Sequence, residues 1–254
     1  AGNAGGAASA YAARAGLAIH VFVPKSAPPV NHFEARLYGA EVTVVDGYLD
    51  ACGPLAAAYA KEHGAFELST FKEPYRVEGK KTMAYELVEQ LGGTLPDVIV
   101  YPTGGGTGLV AMWKAFDELQ ALGWIGDARP RMVSVQSSGC APLVKAFEAG
   151  AETAEHWTEV TTRISGLCAP RVLADRLCLR AIRESGGTAI ALPDDAMRDY
   201  AQLGGAREGF SLCPEGAMCV AATAELVKRG AVGRDERVVV FNTANANKYM
   251  DLLS

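Results

Sequence analysis

Apolar and polar positions along this chain follow two alternating periods. Short apolar runs over residues 18–23, 41–45, 97–101, 131–136, 188–192 and 237–241 have the length and β-branched content of buried strands. Between them, apolar residues recur every three or four positions, as on a helix with one buried face. This spacing predicts helices over 4–15, 31–38, 55–62, 76–91, from the 104–108 glycines to about 122, 140–148, 172–184 and 214–229. Gly16, Gly39, Gly64, Gly92-Gly93 and Gly186-Gly187 stand where helices stop, and Pro193-Asp194 opens one further helix. Residues 149–167 lack either period and read as a surface loop. Strands of four to six residues separated by helices predict an α/β fold of open, mostly parallel sheets flanked by helices. Regularity lapses near 45–50, which divides the chain into 1–48 and 49–254. There is no internal repeat and no low-complexity linker.

Composition narrows the classes of function. A chain of 254 residues, 49% hydrophobic and 21% charged, supports a sizeable core. A net charge of −5, with no Lys/Arg cluster, offers no field for nucleic acid. No apolar run reaches the roughly 18 residues that would predict a membrane-spanning helix. Six cysteines without a C-x-x-C pair read as reduced core residues of a cytoplasmic protein. Four scattered histidines give no zinc spacing. The chain opens at Ala1-Gly2-Asn3, without an initiator Met or signal peptide, and reads as cut from a longer protein.

The strongest chemical signal is Tyr101-Pro102-Thr103-Gly104-Gly105-Gly106-Thr107-Gly108-Leu109, which reads as strand, glycine loop and helix. Such a loop turns backbone N–H groups toward one point at a helix N-terminus and suits a phosphate. A dinucleotide fingerprint starting at Gly104 would need glycine where Leu109 stands, and the Gly-Lys-Ser/Thr ending of a P-loop is missing. A phosphate cup and a plain glycine turn are the two readings, and the compact spacing favours the cup. Three further positions have a structural and a chemical reading each. Asn3 is either a helix N-cap or an amide for a ring oxygen of a bound aromatic cofactor. Thr243, just after the last strand, is either a turn residue or a hydroxyl for a neutral pyridine nitrogen. Glu215, in Cys213-Pro214-Glu215-Gly216-Ala217, is either a first-turn acid or a carboxylate facing a cleft. Residues 76–82, Arg-Val-Glu-Gly-Lys-Lys-Thr, are either a solvated helix start or a border of that cleft.

Taken in order, these segments resemble the threonine synthase branch of the fold-type II pyridoxal-phosphate (PLP) enzymes. The resemblance runs through Gly-Asn at 2–3, Glu-Gly-Lys-Lys-Thr at 78–82, the glycine loop, Arg-Ala-Ile-Arg-Glu-Ser-Gly-Gly at 180–187, Cys-Pro-Glu-Gly-Ala at 213–217 and Phe-Asn-Thr at 241–243. It implies a small-domain remainder over 1–48 and a PLP-binding large domain over 49–254. It also implies PLP held by Asn3 at its 3′-oxygen, by Gly104, Gly105, Gly106, Thr107 and Gly108 at its phosphate, and by Thr243 at its ring nitrogen. Glu215 is the candidate on the substrate side. The implied reaction converts O-phosphohomoserine, a small amino-acid phosphate, and water into threonine and phosphate, in a cytoplasmic homodimer. A serine/threonine dehydratase-like lyase and a non-catalytic ligand-sensing descendant are the alternatives. The resemblance breaks at two points. The family's Schiff-base lysine lies upstream of the Gly-Asn segment, and none of Lys25, Lys72, Lys80, Lys81, Lys145 or Lys248 has that setting. The expectation is therefore a chain that forms no threonine alone. The family's glycine-rich turn after Asn-Thr is here Ala244-Asn245-Ala246, which is expected to crowd the cofactor.

Overall fold

Six strands sort into two separate parallel sheets in the computed structural model, which describes residues 2–253. Ala1, placed by the sequence reading at the head of the first helix, lies outside the described residues. The first sheet pairs β1 (His20–Pro24) with β2 (Glu41–Val45), His20 opposite Glu41 and Pro24 opposite Val45. It is served by α1 (Gly2–Ala15), α2 (Pro29–Leu37) and α3 (Leu49–His63). Tyr59 of α3 lies against both His20 and Phe22, with ring centroids 4.3 and 5.8 Å away, so α3 packs on β1.

The second sheet has the order β5-β4-β3-β6, from β3 (Val98–Pro102), β4 (Arg131–Ser137), β5 (Thr188–Leu192) and β6 (Val238–Val240). All its pairings are parallel. Its central strand β3 is buried along its whole length, which is why it reads as an unbroken apolar run. Successive residues serve opposite faces. Ile99 and Tyr101 join a core with α5 (Thr82–Gln90), α6 (Thr107–Ala121), α7 (Pro142–Glu148) and α8 (Asp175–Glu184). Val98 and Val100 face α10 (Pro214–Lys228), with α9 (Ala196–Glu208) and α11 (Met250–Leu253) beyond it.

The structure departs from the sequence reading at four helices. The helix expected over 76–91 is two, α4 (Tyr75–Lys80) and α5, broken at Lys81. Gly79 weakens that turn, and the Lys81 side chain is drawn to Glu78 and Glu118. Helix α3 begins six residues before the expected Leu55 and runs through Pro54. At the sixth helical position this proline gives up the backbone bond to Asp50 and crowds that turn. The helices expected from 140 and 172 start at Pro142 and Asp175. In the first case Gln136 Oε1 accepts from Leu143 N and Val144 N at 2.9 and 3.2 Å, and so fixes where α7 begins.

Candidate functional site

The parallel register sets the C-terminal ends of β3 and β6 side by side, with Val100 opposite Val240. Chain leaving β3 enters the glycine loop and then α6. The N-cap of α6 is Gly106, at φ +81°, and no side chain caps it. The first N–H groups of a helix have no intrahelical acceptor, so this end remains an open donor site. Three of the loop glycines have a steric reason. A Cβ on Gly104 would strike the carbonyl oxygen of Gly166, one on Gly106 the Cys178 sulfur, and one on Gly108 the Tyr101 ring. Cys178 is wholly buried under the loop, and burial pushes its thiol up to about 12. Thr107 is buried beside these glycines.

Gly105 opens toward a different wall. A Cβ there would lie 3.7 Å from Thr70 Cγ2, and Thr70 Oγ1 accepts from Arg76 Nη1 at 2.7 Å. Lys80 is one helical turn beyond Arg76 on α4. Burial holds both side chains below their ordinary basic range, and for Lys80 repulsion from Arg76 adds to it. Lys80 has no carboxylate partner among the described residues. Phe71, next to Thr70, is the single non-glycine residue at positive φ (58°) among the described residues, a strained backbone at the rim of the cup. Of the 76–82 segment, then, Arg76 reaches the wall beside Gly105. Lys81 instead turns to Glu118, 2.7 Å away on α6.

Glu215 stands in the first turn of α10, 3% exposed. Its Oε1 accepts from Gly166 N at 3.0 Å, while Oε2 has no partner among the described residues. Burial pushes this carboxyl above the usual range and favours its protonated form. Gly166 therefore links Glu215 to the cup, since it touches both. Cys213 caps α10 through Sγ, which accepts from Gly216 N at 3.3 Å and lies 4.0 Å from Thr243 Oγ1. Asn242 Oδ1 accepts from Cys213 N at 3.0 Å and so ties the Asn242-Thr243 pair to the same helix start. Thr243 itself is exposed.

Asn3 is not an N-cap: α1 already begins at Gly2. Its Nδ2 donates to Tyr249 Oη at 2.9 Å, and its Oδ1 accepts from Lys248 Nζ at 3.2 Å. Lys248 also pairs with Glu34 of α2 at 2.7 Å. Tyr249 is buried, and burial together with the nearby Glu215 raises its phenol well above the usual range. The Ala244-Asn245-Ala246 turn does not need glycine. No residue of it has positive φ, and Asn245 Oδ1 closes it by accepting from Asn247 N at 2.9 Å and Ser211 Oγ at 3.1 Å.

The structure thus gathers the glycine loop, Glu215 and Thr243 at one edge of the larger sheet, and connects Asn3 to them through Tyr249. Sequence spacing did not point to Thr70, Gly166, Lys248, Tyr249 or Glu34 as parts of this edge. Lys248 and Tyr249 meet Asn3 across 245 and 246 positions, and no local pattern encodes such a contact.

Comparison with known proteins gives the family and the fold. The profile of the family described as "Pyridoxal-phosphate dependent enzyme" matches residues 1–244. Threonine synthase of Methanosarcina acetivorans is 33% identical over 252 residues, which cover 97% of this chain and 61% of that protein. Threonine synthase of Methanocaldococcus jannaschii is 31% identical over 251 residues, 98% of this chain and 62% of its own. The chain therefore spans about three fifths of these relatives' length. Among solved structures, O-ureido-L-serine synthase superposes with a TM-score of 0.78 at 17% identity, covering 98% of this chain and 72% of that one. Threonine deaminase isoform 2 of Solanum lycopersicum does so with 0.78 at 16% identity, covering 98% and 70%. These two structures show a shared fold. With the family profile spanning nearly the whole sequence, the chain belongs to the pyridoxal-phosphate-dependent enzyme family.

Proposed function

We propose that this chain holds the cofactor of a threonine-synthase-like lyase, which converts O-phosphohomoserine and water into threonine and phosphate. The observation that carries this reading is the uncapped glycine cup at the end of β3, with Arg76 at the wall beside Gly105 and Lys80 one helical turn further on α4. Relatives named threonine synthase, aligned along nearly the whole chain, support it.

The residues present fit PLP. Close packing against Gly166, Cys178 and Tyr101 fixes Gly104, Gly106 and Gly108 as glycines, and the loop presents its backbone N–H groups, with those of Gly105 and Thr107, for the cofactor phosphate. Asn3 has an N–H for the 3′-oxygen. Thr243 offers a hydroxyl to the ring nitrogen and brings no charge. When bound, PLP supplies an electron sink for a carbanion formed on the amino-acid substrate. Glu215, whose burial favours the protonated form, is the group on the substrate side of the cup that can hold or pass a proton. Arg76 and Lys80, two cations in no side-chain ion pair among the described residues, take the phosphate group of the substrate and stabilise it as it departs. In this reading residues 1–48 begin the small domain, and the packing of α3 on β1 extends that unit to His63; the rest is the large domain. The substrate is a small cytoplasmic amino-acid phosphate, and the working unit is a homodimer.

The test is to load the chain with PLP and titrate amino acids while following the cofactor's absorbance. O-phosphohomoserine is expected to perturb the spectrum at lower concentration than serine or threonine, and Arg76→Ala to remove that preference. A stronger response to serine or threonine would replace this reading with a dehydratase-like one. A preference that survives Arg76→Ala combined with Lys80→Ala would remove the basic pair from the substrate site. Borohydride reduction of the loaded chain, followed by peptide mass mapping, identifies any lysine joined to the cofactor.

A further inference from the structure

We infer that Lys248 and Tyr249 are positioning residues that lock the carboxamide of Asn3, leaving one of its N–H bonds free for the 3′-oxygen of PLP. This inference rests on the cofactor reading above and adds to it the part of the chain that sets the direction of the amide.

The chemistry of the partners fixes the orientation. A lysine ammonium only donates, so the atom of Asn3 that faces Lys248 Nζ at 3.2 Å is the oxygen. Nδ2 then faces Tyr249, whose oxygen accepts at 2.9 Å. Burial and the neighbouring Glu215 keep that phenol neutral, so its oxygen remains an acceptor of ordinary strength. A primary amide nitrogen has two hydrogens. One is used on Tyr249, and the described residues offer no partner for the second. Rotating the amide by half a turn would set Nδ2 against an ammonium and Oδ1 toward the cofactor's anionic oxygen, both unfavourable. Without Lys248 and Tyr249 the two orientations differ little.

The lysine is itself held. Glu34 Oε2 lies 2.7 Å from Nζ. Glu34 reaches this point because α1 has glycine at position 6, where a Cβ would land on its carboxylate. Glu34 from α2, Lys248 and Tyr249 from the C-terminal segment, and Glu215 from α10 are the charged and titratable groups around the amide, with Cys213 behind Glu215.

A hydrogen bond to the ionised form of a group lowers its pKa. The experiment therefore reads the ionisation of the cofactor's 3′-hydroxyl by its absorbance across pH. The probe is 4′-deoxypyridoxine 5′-phosphate, which has no aldehyde and needs no lysine. Bound to the chain, its 3′-hydroxyl is expected to titrate at lower pH than when bound to Lys248→Met or Tyr249→Phe. The expected difference is about one pH unit, a tenfold change in proton affinity. Asn3→Ala is expected to give the same shift, and Asn3→Ala with Lys248→Met no more than either alone. Lys248→Arg, which retains a donor, is expected to restore most of the wild-type midpoint.

If Asn3→Ala shifts the midpoint while Lys248→Met and Tyr249→Phe leave it in place, Asn3 aims itself and the inference is overturned. If Asn3→Ala still binds the probe with an unchanged midpoint, the assignment of Asn3 to the 3′-oxygen fails, and the clamp with it. If the wild-type chain does not bind the probe, the cofactor reading itself fails. Urea midpoints separate any loss of folding from loss of aim, and Lys248→Arg and Tyr249→Phe preserve the test if Lys248→Met does not fold.

Discussion

A methyl group at position 108 has no space to occupy. The Cβ of an alanine there would overlap the hydroxyl end of Tyr101, and Tyr101 is itself packed against Phe241, ring centroids 5.3 Å apart. Gly108→Ala is therefore expected to cost about 1–3 kcal/mol of stability, the usual penalty of overpacking, read as a lower urea midpoint. Glu215 gives a prediction of different kind. Its folded-state pKa is raised, so the stability it permits is fully present below the unfolded glutamate pKa of about 4.3 and declines as pH rises toward the folded value. Glu215→Gln retains an acceptor for Gly166 N and removes the titration. Its urea midpoint is expected to match wild type near pH 4 and to exceed it at pH 8; a wild-type midpoint that rises more steeply with pH than the variant's would refute this. These two residues also show what single positions disclose. The glycines at 104, 105, 106 and 108 can be recognised in sequence because they cluster between a strand and a helix, although the atoms that exclude a side chain at Gly104 and Gly106 belong to Gly166 and Cys178. The setting of Glu215 is not legible in this way, because its Oε1 is met by Gly166, 49 positions away.

Between elements, the break at Lys81 is the most informative departure from the hydrophobic pattern. Apolar spacing alone predicts one helix over 76–91, although α4 buries none of its residues and α5 buries Ala84 and Val88. What ends α4 is charge. Lys81 and Tyr85 both donate to Glu118 Oε2, at 2.7 and 3.0 Å, and Lys114 pairs with the same carboxylate. Hydrogen bonds from Lys114 and then Lys81 bring the Glu118 carboxyl down to about 2. A depressed carboxylate contributes stability above its unfolded pKa, and that contribution disappears as pH falls to the folded value. Because solvent reaches a third of this side chain, the contribution is small. Glu118→Gln is expected to lower stability by about 1 kcal/mol or less at pH 7 and by nothing near pH 2. Equal differences at both pH values would assign the effect to packing instead. The helices expected from Cys140 and Val172 start late for a related reason: apolar residues there are buried without being helical, as Val172 (6% exposed) and Ala174 (5%) show. Hydrophobic periodicity reports burial, and burial does not require a helix.

At the scale of the whole molecule, the fold class was legible because both sheets are parallel and each strand between helices reads as an apolar run. One tie between the two sheets was not, because it is polar and joins the two ends of the sequence. The segment 246–253 has two attachments. Lys248 and Tyr249 hold α1 and α2 through Asn3 and Glu34. Leu252, with Tyr249, belongs to the core formed with Met197, Leu226 and Val100, and its carbonyl accepts from Arg198 Nε at 3.1 Å. Substitution at the two positions should therefore loosen different halves of the molecule. In amide hydrogen exchange, Lys248→Met is expected to speed exchange in α1 and α2 and to leave α9 and α10 unchanged. Leu252→Ala, which removes about 2 kcal/mol or more of core packing, is expected to act on α9 and α10 first. If both variants gave the same exchange map, the C-terminal segment would be acting as one cooperative unit. Asn3 would then owe its orientation to the fold at large, and not to the two side chains that touch it.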